Sequence, residues 1–304
     1  MNPDGTPGIN DLAKAAEAAT GIVGAIQSLL PGIPQRSLDK AECKATKSLL
    51  KDIKLIQEQG AALGLSDETI REFADDAFRR HGKRERFEKV VSFAAESIEH
   101  LENVSGIDPE WAEDFQVYAE SSYDEEMQRL WGAILAGEIN KPGSFSKRTM
   151  STLKSMSKRE AKDFEKVCDY SIMVNYDEEE TPPSPIIVIE LDGSGGGFNG
   201  GDLSVSSLGV LDSLGLIDMS LANSETISPA MTLSLQVGHD IVVVENESVE
   251  AIKIIFSHAI FLPIGEELAK VCGIGKSSHL RNILETKLSS LGLKTTWIDD
   301  FEKQ

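Results

Sequence analysis

Two glycine-containing segments have the residue types that could bind a phosphate group. In the first, from Asp192 to Asp202, Gly195, Gly197 and Gly200 follow the order GxGxxG after a predicted strand. Such glycines let a backbone approach a pyrophosphate at a helix N-terminus. A dinucleotide site also needs a second apolar strand that ends in an acidic residue about 20 positions later. The chain lacks that strand, so the sequence favours a surface loop here.

The second segment, Gly273-Ile-Gly-Lys276-Ser277, resembles the end of a P-loop. A P-loop needs a glycine five positions before its Gly-Lys pair and a strand ahead of it. This chain has Lys270 at that position and a predicted helix ahead of it. We therefore expect the C-cap of one helix, followed by the cap of the next.

No set of side chains indicates a catalytic centre. The five histidines do not pair at helical spacings, and no HExxH motif, serine elbow or SxxK motif occurs. Cys43, Cys168 and Cys272 lie far apart and form no CxxC pair, which indicates neither a zinc site nor a disulfide framework. The sequence therefore predicts no catalytic residue, no metal and no cofactor.

Two groups of basic residues interrupt an acidic background. Residues 79–89 contain six basic and two acidic residues, and residues 141–162 contain seven basic and one acidic residue. Clusters of this size can contact phosphates, and the alternative is pairing with acidic helices of the same chain or of a second subunit. The candidate surface for an anionic partner consists of Arg79, Arg80, Lys83, Arg84, Lys147 and Arg148.

The N-terminal region predicts a helix from Gly8 to Leu30, which ends at Pro31-Gly32. Its apolar residues recur every three or four positions, and no charged residue occurs from Thr20 onward. Two interpretations stay open: packing on the domain or on a second subunit, and a membrane-active segment that a trigger exposes. The candidate membrane or interface residues are Ile9, Leu12, Ile22, Val23, Ile26, Leu29 and Leu30.

The predicted fold class is α+β, with an N-terminal helical bundle followed by a smaller mixed α/β lobe that has winged-helix-like elements. The predicted division is an amphipathic N-terminal helix at 1–36, a helical domain at 37–176, a linker at 177–185 and a mixed domain at 186–304. The linker is acidic and then proline-rich, a composition that does not bury apolar surface.

Helix signals occur throughout the predicted helical domain. The predicted helices lie near 38–60, 67–81, 83–104, 109–121 and 123–138. The predicted caps are Ser66 or Asp67, Asp108 ahead of Pro109, and a capping box formed by Ser122 and Glu125.

The region after the linker combines strand and helix patterns. The predicted strands are Ile186–Glu190, Ser234–Val237, Ile241–Glu245 and Ala251–Phe256, and the predicted helices are Ser204–Leu214, Ile264–Val271 and Ser278–Leu291. The phrases at 208–217 and 261–268 resemble the helix, turn and strand pair of a winged helix, a shape that need not bind DNA.

Composition limits the class of protein further. The chain has 304 residues, of which 40% are hydrophobic, and a formal net charge of −20. This length favours two domains, and the charge repels nucleic acid and anionic membranes at long range. We expect a cytoplasmic protein, because the sequence lacks a signal-peptide pattern, an apolar run of about 18 residues and paired cysteines.

The segment from Leu130 to Cys168 carries the most specific local pattern. Its phrases are Trp131–Glu138, Pro142–Ser146, Thr149–Ser157 and Ala161–Cys168. They resemble uncharacterised bacterial domains of unknown function related to the abortive-infection alpha proteins. Gly132 stands where that pattern has alanine, and Met150 and Met156 stand where it has leucine.

These phrases consist of packing and turn residues, so we interpret the motif as structural. Its members are Trp131, Leu135, Gly137, Glu138, Pro142, Gly143 and Phe145. The resemblance implies a role in defence against bacteriophage and supplies no catalytic residue.

The leading hypothesis is a non-enzymatic sensor or effector of abortive-infection type. It would act as a homo-oligomer or through a phage or host protein, and its N-terminal helix would disrupt a membrane after activation. The alternative is a nucleic-acid-binding regulator that uses the winged-helix-like phrases and the basic residues.

Overall fold

The computed structural model describes residues 41–98, 106–175, 184–188, 203–257 and 259–299. The predicted helix from Gly8 to Leu30 and the glycine loop from Asp192 to Asp202 lie outside these residues. Within the described part, no helix is both long enough and apolar enough to cross a membrane.

Two compact units make up the chain, Met1–Lys147 and Arg148–Gln304. The predicted division places 148–176 with the helical domain, whereas the second unit includes these residues. The predicted linker at 177–185 falls inside the second unit, where Ser184 and Pro185 already belong to a strand. Among the described residues, helices make up the first unit and all strands lie in the second, which confirms the α+β class.

Four helices build the described part of the first unit. They are α1 (Ala41–Ala62), α2 (Asp67–Ala95), α3 (Pro109–Ala119) and α4 (Glu125–Asn140). A fifth helix, α5 (Lys147–Ser155), begins at the last residue of this unit. α2 is one continuous helix, so the predicted break near Gly82 is wrong. A single glycine costs a helix only about 1 kcal/mol, and the chain has no proline there to end it.

Side chains cap the helices of the first unit, as two of the three predicted signals indicate. Ser66 Oγ accepts a hydrogen bond from the Thr69 amide at 3.2 Å, and Asp108 Oδ1 accepts one from the Glu110 amide at 3.0 Å. The predicted capping box at Ser122 is wrong. Asp124 caps α4, because its carboxylate accepts from the amide of Glu126.

The described part of the second unit combines helices with three antiparallel sheets. Its helices after α5 are α6 (Lys158–Asp169), α7 (Val205–Ser213), α8 (Pro263–Cys272) and α9 (Leu280–Ser290). Its strands are β1 (Ser171–Asn175), β2 (Ser184–Ile187), β3 (Ile217–Asp218), β4 (Asn223–Ile227), β5 (Thr232–Val237), β6 (Asp240–Glu245), β7 (Ile252–Ser257), β8 (Ile260–Phe261) and β9 (Lys294–Ile298). These elements confirm the predicted helices to within about two residues at each end, and they confirm the three predicted strands that became β5, β6 and β7. β2 overlaps the predicted strand Ile186–Glu190 only at Ile186 and Ile187, and residues 189–190 lie outside the described part. The strands β1, β3, β4, β8 and β9 are additional.

Strand pairing in this unit is nested around one turn. β5 pairs with β6, β4 with β7 and β3 with β8, so each outer pair encloses the inner ones along the chain. β5 and β6 also belong to a five-stranded sheet in the order β2-β1-β5-β6-β9. The turn at the centre has two residues, Gly238 and His239, and Gly238 has a φ of 61°.

One apolar core joins the large sheet to α9 and the β4–β7 pair. Leu280, Leu284 and Leu288 recur at four-residue spacing on one face of α9 and are fully buried. They share this core with strand residues such as Leu235 and Val242. Because side chains alternate along a strand, the neighbours of these strand residues lie on the opposite face of the sheet.

The winged-helix-like phrases meet in the β3–β8 pair. α7 ends before Gly215, which has a φ of 71°, and β3 follows directly. The Leu262 amide donates to the Leu216 carbonyl at 3.0 Å. A side chain at Gly265 would collide with that same carbonyl oxygen, so glycine is needed where α8 crosses β3.

Candidate functional site

Trp131 lies at the centre of the first unit. Its ring is 1% exposed and contacts Phe115 edge-on, with ring centroids 5.6 Å apart. Phe115 in turn stacks on Trp111 at 5.1 Å, and Trp111 Nε1 donates to the Phe145 carbonyl at 2.8 Å. Leu135 is also buried on α4. The motif residues therefore connect α3 and α4 to the turn that follows α4.

That turn is held by a buried carboxylate. Glu138, which is 3% exposed, accepts from the Gly143 amide at 2.6 Å and from the Phe145 amide at 3.0 Å. Gly143 has a φ of 84°, a conformation that glycine adopts without strain. Pro142 directly precedes it, and Gly137 lies against the Phe145 ring. We call the segment from Glu138 to Phe145 the Glu138 turn.

Gly132 marks the closest approach of α4 to α2. A Cβ atom there would lie 2.7 Å from Phe93 Cβ and 3.0 Å from the Ala94 backbone nitrogen. Alanine, which the similar bacterial pattern has at this position, would therefore require the two helices to move apart.

We expect Gly132→Ala to lower the free energy of unfolding by about 1 kcal/mol. The overpacking costs about 1–3 kcal/mol and exceeds the roughly 1 kcal/mol by which alanine favours a helix. Gly209→Ala in α7 is the matched control, because its Cβ would have no neighbour within 4 Å. We expect that control to be stabilised, and urea unfolding of both variants measures the difference. A Gly132→Ala protein as stable as the wild type would contradict the expectation.

Three of the six residues of the predicted basic surface pair with carboxylates of the same unit. Arg80 pairs with Asp76 at 2.9 Å, and Lys83 pairs with Glu120 at 2.7 Å. Arg79 and Arg84 are exposed on the same helix, α2.

Lys147 pairs with Glu110 at 2.7 Å and with Asp114 at 3.2 Å. The hydrogen bond with Glu110 raises the pKa of Lys147 above its ordinary value. Arg148 is exposed and belongs to the second unit. These pairs favour the interpretation that the basic residues neutralise neighbouring acidic helices.

Three backbone amides of the P-loop-like phrase, those of Gly273, Gly275 and Ser277, donate hydrogen bonds within the unit. Gly273 has a φ of 75° and is the C-cap of α8, as predicted. The amides of Gly275 and Ser277 donate to the carbonyls of Cys168 and Asp169. These amides fasten the loop to the end of α6 and do not form a phosphate cradle. The next helix begins later than predicted, since the N-cap residue of α9 is His279.

Two cysteines and an aspartate lie beneath this loop. Cys168 and Cys272 are buried free thiols, and burial raises the pKa of the Cys168 thiol well above its ordinary value. A buried thiol that stays protonated is a poor nucleophile. Burial also raises the pKa of Asp169, and the nearby Lys276 ammonium opposes that shift. Within the described residues, no group of three or more metal-ligating side chains occurs.

A cleft of about 1120 Å³ lies in the second unit, and we call it the Lys270 cleft. The large sheet contributes residues from four neighbouring strands, β2, β1, β5 and β6. α8 contributes one side, and the loop of residues 273–278 contributes another. The residues that line it include Met173, Pro185, Gln236, Lys270, Lys276 and Arg281.

A family model described as "Protein of unknown function (DUF2806)" matches residues 76–285, more than half of the chain. The chain belongs to the DUF2806 family. The DUF2806 match begins within α2 and ends within α9, so it includes the Glu138 turn and the Lys270 cleft. No curated protein and no solved structure matches the chain. The DUF2806 description contains no link to the abortive-infection proteins.

Sequence reasoning found the residues of the Glu138 turn but missed the Lys270 cleft. The cleft combines segments that are up to about a hundred positions apart in the chain, and none of them carries a motif by itself. The sequence contains only weak signals of the cleft, namely the basic residues Lys270, Lys276 and Arg281 and the turn residue Gly238.

Proposed function

We propose that this protein is a non-enzymatic sensor or effector of bacterial defence against phage, and that it acts by self-association through the α1–α2 hairpin. The observation that supports this proposal is the exposure of large apolar side chains on that hairpin. Its exposed apolar residues are Leu50, Leu55, Leu63, Leu65, Phe73 and Phe78.

The exposure is high for side chains of this size. Leu50 is 60% exposed, Phe78 is 63% exposed and Leu63 is 77% exposed. Single exposed apolar residues are common, but six of them on two adjacent helices and the loop between them are typical of an interaction surface. Covering a leucine or phenylalanine contributes about 1.5–3 kcal/mol, so a second copy that buries several of them gains substantial free energy.

Charged residues of both signs surround the apolar side chains of the hairpin. Between Ser48 and Arg80 the sequence has five basic and seven acidic residues, so opposite charges can pair when two hairpins meet. Paired surfaces of one chain meet as an isologous, two-fold interface.

The first test measures the mass of the particle in solution. Light scattering after size exclusion should give a multiple of 33.0 kDa for the wild type and 33.0 kDa for Leu50→Glu/Phe78→Glu. Val249→Glu places the same charge at a residue that is 92% exposed in the second unit, and it should keep the wild-type mass. A monomeric wild type, or a double variant with the wild-type mass, contradicts self-association through this hairpin.

The second test addresses defence directly. Bacteria that express the wild-type gene should reduce plaque formation by at least some phages of a panel, and the Leu50→Glu/Phe78→Glu variant should lose that protection. Val249→Glu should protect as the wild type does. Equal plating of every phage with and without the wild-type gene contradicts the defence role.

Membrane disruption by Gly8–Leu30 stays a prediction within this proposal. Its test is leakage of a dye from liposomes, with the full-length chain compared to a chain that lacks residues 1–35. Nucleic-acid binding has less support, because Arg80, Lys83 and Lys147 pair with carboxylates.

A further inference from the structure

We propose that the Lys270 cleft binds a nucleotide, with its phosphates at Lys270 and Lys276 and its base over Met173 and Pro185. This inference goes beyond the proposed function and does not rest on it. It stands on the size of the cleft, the arrangement of its walls, its local charge and its apolar floor.

The cleft has the size of a small-molecule site. Its volume of about 1120 Å³ slightly exceeds the usual range for ligand pockets, roughly 300–1000 Å³. A single phosphate or sulfate ion would occupy a small part of this space. The volume therefore points to a ligand that has an organic part as well as charged groups.

The outer face of the large sheet forms the floor. Pro185, Met173 and Gln236 are register neighbours on β2, β1 and β5. They alternate with Ile172, Val174 and Leu235, whose side chains belong to the buried core on the opposite face. The floor thus presents a proline ring and a thioether next to an amide. A flat heterocycle can lie on the first two and exchange a hydrogen bond with the third.

The two turns at one end of the cleft are locked together. Gly238 in the β5–β6 turn and Gly275 in the α8–α9 loop both have positive φ, at 61° and 75°. A Cβ atom at Gly238 would lie 2.9 Å from the Gly275 carbonyl oxygen, so the two backbones are in contact. The loop is also bonded to the end of α6 through Gly275 and Ser277. These contacts hold the cleft open before a ligand arrives, which lowers the entropic cost of binding.

Charge on the walls favours an anion. Three basic side chains and His239 line the cleft against only two acidic ones, in a chain whose formal charge is −20. Arg281 is occupied, because it pairs with Asp299 at 2.7 Å and with Asp240 at 3.8 Å and lies over the Trp297 ring at 4.3 Å. Arg281 and the acidic Asp240 of the wall therefore offset each other, which leaves Lys270 and Lys276 against Glu266. Lys270 and Lys276 are exposed, and Lys276 donates one of its three protons to the Cys272 carbonyl at 2.5 Å. That bond fixes the ammonium group, and a bound phosphate would compete with the nearby Asp169 carboxylate for its remaining protons.

The test measures binding of ATP by isothermal titration calorimetry, with GTP, CTP and UTP as further probes. We expect at least one of these nucleotides to bind with a dissociation constant below about 1 mM. Pyrophosphate and the corresponding nucleoside should each bind more weakly than the nucleotide that binds best, because each supplies only one half of the contacts. Citrate, an anion without a base, should not compete.

Variants locate the site. Lys270→Glu should weaken nucleotide binding by about tenfold or more, since it replaces an attraction with a repulsion. Lys253→Glu makes the same change of charge on an exposed residue of β7 outside the cleft, and it should leave the affinity within about twofold. Lys276→Gln, which removes the charge and keeps a donor for Cys272, should also weaken binding.

Absence of binding by all four nucleotides overturns the proposal, as does an equal effect of Lys270→Glu and Lys253→Glu. If citrate competes for the cleft as strongly as ATP does, the proposal that its ligand is a nucleotide is wrong. The monomerising variant Leu50→Glu/Phe78→Glu should bind nucleotide as the wild type does. A failure of the cleft proposal and a failure of self-association are therefore separate results.

Discussion

Replacing Trp131 by alanine is expected to lower the free energy of unfolding by about 4 kcal/mol. The indole is almost fully buried, and it contacts the rings of Phe115 and Tyr118, with centroids 5.6 and 6.2 Å away. Truncation removes these ring contacts and leaves a cavity that the helices close only in part. Urea unfolding followed by circular dichroism measures the loss without depending on the fluorescence of the removed tryptophan.

Two controls separate the packing of Trp131 from a general effect of removing an aromatic residue. Trp131→Phe keeps an aromatic ring and should lose about half as much stability. Tyr123→Ala removes a ring that is 81% exposed and contacts the Arg86 guanidinium at 4.1 Å, so it should cost less than about 1 kcal/mol. Equal losses for Trp131→Ala and Tyr123→Ala would show that Trp131 does not organise the core.

Glu138→Ala is expected to cost about 3 kcal/mol. The carboxylate accepts from two backbone amides, those of Gly143 and Phe145, and its removal leaves both donors without that partner. A buried donor that loses its partner costs about 1–3 kcal/mol. The variant should also loosen the turn that carries Phe145 against Gly137. Amide hydrogen exchange at Gly143 and Phe145 should become faster, and urea unfolding gives the total.

The comparison with Glu138→Gln tests the role of the second oxygen. Glutamine keeps one acceptor, but its amide group faces a backbone donor, so we expect a loss of about 2 kcal/mol. Glu125→Ala removes a carboxylate from the same helix, where it makes an exposed ion pair with Arg129 at 3.0 Å. Its loss should stay below about 0.5 kcal/mol. A Glu138→Ala protein that behaves like Glu125→Ala would contradict the buried-acceptor argument.

Local capping chemistry explains which helix boundaries were predictable. Ser66 and Asp108 were found because a side-chain acceptor next to a helix start has a physical reason that the sequence displays directly. At the start of α4 two acceptors compete, and Asp124 is the one that lies directly before the helix. Spacing alone could not choose between Ser122 and Asp124.

Other elements depend on partners that are distant in the sequence. β9 pairs with β6, and β1 pairs with β5, which lies about 60 residues away along the chain. β1, which directly follows α6, has too short a pattern to indicate a strand without its neighbours. The Lys270 cleft is a stronger case of the same limit. Its floor exists only because β2, β1 and β5 place Pro185, Met173 and Gln236 side by side.

The residues of the Glu138 turn were predictable for a different reason. They are close together in the sequence, and each of Gly137, Pro142 and Gly143 has a backbone or packing property that its residue type reveals. What the sequence did not reveal was the acceptor role of Glu138. A glutamate on an acidic chain carries no signal of burial until its two amide donors are in place.

The nested pairing of the six strands from β3 to β8 along the chain implies an order of folding. The Gly238-His239 turn joins β5 and β6 through a two-residue loop, so this hairpin closes at little entropic cost. Once it has formed, the ends of β4 and β7 are already near each other, and the same holds next for β3 and β8. We expect the β5–β6 hairpin to form first, the β4–β7 and β3–β8 pairs to follow in that order, and β1 and β9 to be added last. Substitutions at the turn would then slow folding, whereas substitutions in β9 would mainly speed unfolding.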